Sequence, residues 1–156
     1  MHWRRRIEPI ARPIFHAYSR WARGLTLGVR GLVTNEAGEV LLIQHTYVAG
    51  WYMPGGGLER GETAEQAITR ELIEEAGVRL TERPQLLSLH SNHVHFPGDH
   101  VLVYRAGAWE ACEATSRGEI AEVRWFAPNA LPETTTRGTR LRIEEALGGG
   151  EPHPHW

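Results

Sequence analysis

The chain contains no lysine: all 17 cationic residues are arginine. The acidic side is almost as lopsided, with 18 Glu and a single Asp, Asp99. Without lysine there is no P-loop lysine, Schiff-base lysine, lysine nucleotidyl carrier or usual kinase lysine. One aspartate excludes paired-aspartate dyads and EF-hand loops. One cysteine, Cys112, excludes an intramolecular disulfide and any multi-cysteine zinc site. No apolar run approaches the ~18 residues that would cross a bilayer. The Arg4 to Arg6 trio leads into Ile7-Glu8-Pro9, too charged and proline-broken for a signal peptide, so a reducing, cytoplasmic setting is expected. Whatever chemistry the chain performs must come from Glu, Arg, His and backbone, with or without a metal.

At 156 residues the sequence has the length of one domain, enough to bury a core without a metal or disulfide staple. Its net charge of −2 is unevenly spread: residues 1–30 carry seven Arg and one Glu, a balance of +6, and the remainder carries −8. An acidic body attracts divalent cations. The basic lead could face phosphates, anionic lipid or a partner.

Ile10, Ile14, Tyr18 and Trp21 recur at helical spacing, with Pro13 suited to a first turn. Residues 1–23 are therefore expected to form an amphipathic helical segment. Packing on its own domain is the plainer reading, with a membrane-surface or dimerisation helix as the functional one. Leu25 to Thr34 and Val40 to Ile43 predict strands around the turn Asn35-Glu36-Ala37-Gly38. Thr63 to Ala76 predicts a helix, with Thr63 and Gln66 as a capping box and Gly77 as the stop. Further strands are expected at Leu86 to His90, His100 to Tyr104 and Val123 to Phe126, then a helix from Arg137 to Leu147 and a frayed tail over 148–156. This order predicts a single α/β domain over 24–147 with a mixed sheet.

The stretch Pro54-Gly55-Gly56-Gly57-Leu58-Glu59-Arg60-Gly61-Glu62 opens that helix, and four glycines in seven residues leave backbone groups open to a ligand. Near the helix end, Glu71, Glu74 and Glu75 fall within an arc of roughly 100°. Like charges at these spacings repel, and the helix C-terminus is the wrong end for anions. A hard divalent cation reverses the sign of both penalties. A solvated acidic face is the plainer alternative. The glycine loop and Arg70, placed to orient Glu62 or Glu71, favour the metal site.

From Gly56 the sequence reads Gly, five residues, Glu62, seven residues, Arg70-Glu71, an aliphatic, one residue, Glu74-Glu75, one residue, Gly77, then Val78. This resembles the Nudix box of the Nudix hydrolases at every fixed position. The resemblance extends more weakly to residues 24–147, through Gly24 to Val33 and Glu119 to Phe126. It implies an α/β/α sandwich with a mixed sheet, and Mg²⁺- or Mn²⁺-dependent hydrolysis of a nucleoside diphosphate linked to another group. It further implies Glu71, Glu74, Glu75 and the Gly55 carbonyl as metal ligands, with Glu62 and Arg70 in support. An outer carboxylate is expected at Glu119, with Glu122 as competitor, and Glu75 or Glu119 would take the proton from water. A non-catalytic nucleotide sensor and an RNA 5′-end pyrophosphohydrolase are the alternatives.

Substrate signals are thinner. Tyr47, Trp51 and Tyr52 could stack a base or pack in the core, and Arg30 is a further substrate-contact candidate. His90, His93, His95 and His100 flank Pro97-Gly98 and read as a substrate-facing loop, ordinary strand histidines or a zinc site. The proline of ADP-ribose pyrophosphatases is missing where His93 and Val94 stand, and the marks of diadenosine polyphosphate hydrolases and NADH pyrophosphatases are absent too. The expected partner is a small nucleotide, with no membrane; nucleic acid is not expected, and a homodimer is the alternative to a monomer.

Overall fold

A computed structural model describes residues 24–116 and 118–156. The amphipathic segment expected over 1–23 lies outside the described residues. The elements, in order, are β1 (Thr26–Leu32), β2 (Val40–His45), α1 (Ala64–Ala76), β3 (Val78–Leu80), β4 (Gln85–Ser91), β5 (Asp99–Arg105), β6 (Trp109–Ala111), β7 (Ile120–Phe126), a 3₁₀ turn at Pro128–Ala130, and α2 (Arg137–Gly148).

The strand pairings are mixed, as expected. β1 runs parallel to β5, and β5 is antiparallel to β4. β2 pairs antiparallel with β7, and β3 with β6. Alternation along the strands explains why helices lie on both faces. Val29, Val33 and Leu41 point to one side and meet Ala67, Ile68 and Leu72 of α1. Leu32, Val40 and Leu42 point to the other and meet Trp51, Met53 and Ile143 of α2. Each large side chain so buried contributes roughly 1.5–3 kcal/mol, so the sheet is clamped between two cores. Gly31 is required by this packing: a Cβ there would press on Leu72 and Ile68 of α1.

α1 begins and ends as its sequence dictates. Thr63 Oγ1 accepts from the Gln66 N–H at 3.2 Å, and the Gln66 side chain accepts from the Thr63 N–H at 2.8 Å. Such a cap is worth about 1 kcal/mol. Gly77 closes the helix in the left-handed region at φ 63°.

Three expectations change. β3 and β6 are additional strands, each three residues long, too short to show a period in sequence. β7 starts at Ile120 rather than Val123, because its pairing with β2 continues past a bulge to Ile120 opposite His45. The tail expected to fray instead returns to the body. Ser91 N–H donates to Pro154 O, and Trp156 N–H donates to Ser91 O, at 2.8 and 2.9 Å. Among the described residues, no helix is long and apolar enough to cross a membrane.

Candidate functional site

The glycine loop is held against β1 as an extra strand. Val29 N–H donates to Gly56 O, Gly31 N–H to Pro54 O and Leu58 N–H to Leu27 O, all at 2.8–3.0 Å. Gly55 takes φ 142°, and a Cβ there would run into the Val29 carbonyl oxygen. A Cβ at Gly56 would occupy the position of the Glu71 carboxylate. The absence of side chains at these two positions is what lets the loop lie directly over the acidic face of α1.

On that face Arg70 gathers three carboxylates. Its Nε donates to Glu62 Oε1 at 2.9 Å and its Nη2 to Glu62 Oε2 at 3.1 Å, a fork geometry suited to carboxylate. Its Nη1 donates to Glu71 Oε1 at 2.9 Å and to Glu74 Oε2 at 3.1 Å, and Nη2 reaches Gly57 O at 3.2 Å. Both orientations expected of Arg70 are thus present at once. These contacts raise Arg70 above its ordinary value, Glu62 foremost. They hold Glu62 below its own, with the Glu59 N–H assisting.

Glu75 is more deeply placed, at 7 % exposure. Its Oε2 accepts from the Gly55 N–H at 2.7 Å. Burial pushes its carboxyl up to about 7; the Glu71 and Glu119 charges add to the rise, and the Gly55 N–H and Arg30 oppose it. Burial also raises Glu71, against the pull of Arg70. Arg30 extends from β1 beneath the loop, donating from Nη1 to Met53 O at 3.1 Å and to Gly55 O at 2.5 Å. The carbonyl expected as a metal ligand therefore already accepts a hydrogen bond.

Glu119 lies outside this knot, exposed, on a loop tied to the site at both ends. Ser116 N–H donates to Glu74 O, and Thr46 N–H donates to Glu119 O, each at 2.9 Å. Glu122, the competitor, is paired with Arg124 on β7. Tyr52 and Arg30 line the open cleft beside the glycine loop. Tyr47 is 72 % exposed and tilted over His45 at 5.0 Å between rings. Trp51 is a correction: it is 6 % exposed and edge-on to Phe126 at 4.8 Å, so core packing has claimed the ring that stacking would need.

One neighbour went unread in the sequence. His45 is buried, with Nδ1 unpartnered and 3.9 Å from Glu75 Oε1. Burial and the Arg30 charge lower its pKa, so it stands beside Glu75 as a neutral imidazole. The expected strand stops at Ile43, whereas β2 runs on to His45, and alternation from Leu41 and Ile43 then turns His45 toward α1.

The donor set consists of carboxylate and carbonyl oxygens, the chemistry a hard divalent cation requires. Gly56 leaves room at Glu71 that any other residue would fill. Glu71, Glu74, Glu75, Glu119 and Gly55 could hold such an ion. Among the described residues no three His, Cys, Asp or Glu side chains are already arranged to hold a metal ion; Arg70 and the Gly55 N–H hold the carboxylates instead. The histidines of 90–100 are likewise dispersed: His90 is buried against the tail, while His95 lines the cleft.

A family model described as the NUDIX domain matches residues 24–146. The chain belongs to the Nudix hydrolases. It is 34% identical over 128 residues to a MutT-like protein of Streptomyces ambofaciens, covering 82% of this chain and 80% of that one. It is 30% identical over 143 residues to the 8-oxo-dGDP phosphatase NUDT18 of Mus musculus, covering 90% of this chain and 42% of that protein. Among solved structures, a MutT NUDIX hydrolase from Burkholderia pseudomallei superposes with a TM-score of 0.66 at 29% identity, covering 76% of this chain and 95% of the other. The α/β fold with its mixed sheet is the Nudix fold.

Proposed function

We propose that this Nudix hydrolase cleaves the pyrophosphate bond of a nucleoside diphosphate linked to another moiety, in a reaction that depends on Mg²⁺ or Mn²⁺. One observation carries the reading: Arg70 draws Glu62, Glu71 and Glu74 together under a glycine loop whose Gly55 N–H holds the buried Glu75. Several carboxylates concentrated on one helix face are unfavourable unless a cation joins them. In this reading Glu71, Glu74, Glu75, Glu119 and the Gly55 carbonyl are the ligands, while Arg70 and Glu62 keep the carboxylates in place. When bound, a divalent ion lowers the pKa of the attacking water and screens the phosphate oxygens.

The water oxygen attacks one phosphorus in line. The phosphoanhydride P–O bond opposite breaks, releasing a nucleoside monophosphate and a second phosphate-bearing product. Glu75 or Glu119 accepts the water's proton; a carboxyl raised to about 7 by burial suits this task near neutral pH. Arg30 and Tyr52, on the cleft wall, contact the substrate. The test is a panel of ADP-ribose, nucleoside triphosphates, oxidised triphosphates, nucleotide sugars and dinucleotides with Mg²⁺ or Mn²⁺, identifying each phosphate product. No metal-dependent product from any of them would overturn the reading.

A further inference from the structure

The cleft that opens from the glycine loop has a volume of about 1270 Å³, and its far side is built by Glu151, His153, His155 and Trp156 together with α2 and the 92–99 loop. Beyond the left-handed Gly149, residues 151–156 turn back along the free edge of β4. Their attachment is specific. Ser91 N–H donates to Pro154 O, Trp156 N–H donates to Ser91 O, and Arg142 Nη1 donates to His155 O at 2.9 Å. His153 N–H donates to Glu145 Oε1 at 3.1 Å.

The anchor is an aromatic ring in a notch. The Trp156 indole lies over Gly138 on α2, where a Cβ would collide with it. It is edge-on to His90 at 5.9 Å, and the Arg142 guanidinium sits 5.7 Å from its centre. Arg142 is itself 1 % exposed, so the tail carbonyl serves a buried cation that would otherwise lack that partner. On the same side, Phe96 and Val94 of the 92–99 loop are exposed and line the cleft. Asn92 also lines it, with Nδ2 spent on Asp99 and Oδ1 unpartnered. One end of the cleft thus offers Arg30 and the glycine loop to phosphate. The other offers aromatic and aliphatic surface, suited to the flat apolar faces of a heterocycle.

We propose that residues 151–156, seated by Trp156 over Gly138, form the specificity-determining wall of the substrate cleft and position the nucleoside end of the substrate. This rests on the pyrophosphohydrolase reading for the phosphate end. Trp156 acts on selection and not on the reaction at phosphorus.

The experiment compares wild type with W156A, G138A, the double variant and a deletion of 151–156. Each is assayed on dGTP, ADP-ribose and UDP-glucose, with amide exchange at Ser91 and Trp156 and the melting temperature followed in parallel. W156A should release the Ser91 amide, raise KM about fivefold or more for the preferred nucleotide with kcat changed less than about twofold, and compress the kcat/KM ratios among the three by about tenfold. G138A should reproduce this, and should add nothing in the W156A background if it works by unseating the indole. Unchanged ratios in a folded variant whose Ser91 amide has been released would overturn the proposal, as would retained Ser91 protection in W156A. If wild type hydrolyses none of the three, the wider nucleotide panel judges the pyrophosphohydrolase reading separately. The wall is then judged by α,β-methylene-ADP binding: protection of the Trp156 amide and weaker binding by W156A support it, and neither effect overturns it.

Discussion

The Gly55 N–H donates to Glu75 Oε2 across twenty residues of sequence, so the glycine loop and the last turn of α1 share one hydrogen bond at the centre of the site. Glu75→Gln keeps an acceptor for that N–H and removes the charge. Turnover at saturating Mg²⁺ is expected to fall by about 100-fold or more, while the fold persists. Steady-state kinetics beside a thermal melt check this, and near wild-type kcat would place the reacting centre elsewhere.

Stability without metal should depend on pH through the same carboxyl. Its folded pKa of about 7 lies above the ordinary 4.5, so the folded protein holds a proton that the unfolded chain has lost in between. That contribution is full below 4.5 and is lost as pH rises through 7. Burial-lowered His45 and His90 act oppositely, contributing above 6.5 and losing that contribution as pH falls. Subtracting Glu75→Gln isolates the carboxyl. Metal-free wild type should lose on the order of 1–3 kcal/mol relative to the variant between pH 5 and 8. Millimolar Mg²⁺ should restore the wild type selectively. Denaturant melts at the two pH values provide the measurement; a pH-independent difference contradicts the expectation.

Glu119 and Glu122 should separate cleanly. Glu122 is engaged by Arg124, whereas the Glu119 charge reaches Glu75. Glu119→Gln is expected to lower kcat at least tenfold, with Glu122→Gln close to wild type. Both should melt within a few degrees of the parent, since substitutions at exposed positions usually cost under about 0.5 kcal/mol. The reverse ranking of kcat would transfer the role to Glu122.

The two glycines over α1 should fail differently when replaced by alanine. At Gly55 the new Cβ meets the Val29 backbone at φ 142°, so the loop must detach from β1, a loss of roughly 3 kcal/mol or more. At Gly56 its nearest contacts are the Glu71 carboxylate atoms, the movable end of a side chain. Gly56→Ala should therefore fold, melt close to wild type and need more Mg²⁺ for half-maximal activity. Equal melting temperatures for the two variants would contradict this assignment of the contacts.

What sequence could reveal here was local. Thr63, Gln66 and Gly77 define α1 through contacts within a few residues, and the arc of Glu71, Glu74 and Glu75 follows from helical geometry alone. The Arg70 clamp was partly visible because Glu71 and Glu74 are its neighbours; its fork onto Glu62 needed the loop to fold back. His45 stayed hidden because β2 runs two residues past its apolar stretch, and only that extension carries the alternation to His45. Arg142 falls inside the expected helix with no mark of its own, yet it is buried where the tail returns, and nothing near position 142 announces that. Trp51 had two sound readings, and only the position of Phe126 separates them.

The pairing of residues 54–58 with β1 constrains how this site could diversify. Inserting or deleting one residue there would shift the ladder by one position, turning Gly55 and Gly56 away from Glu75 and Glu71 and forcing side chains against Val29. Length variation is therefore closed to this loop. The 92–98 turn and the tail carry no such register with the carboxylates, so changes of substrate among relatives of this chain should accumulate in those two segments, leaving the phosphate end unaltered.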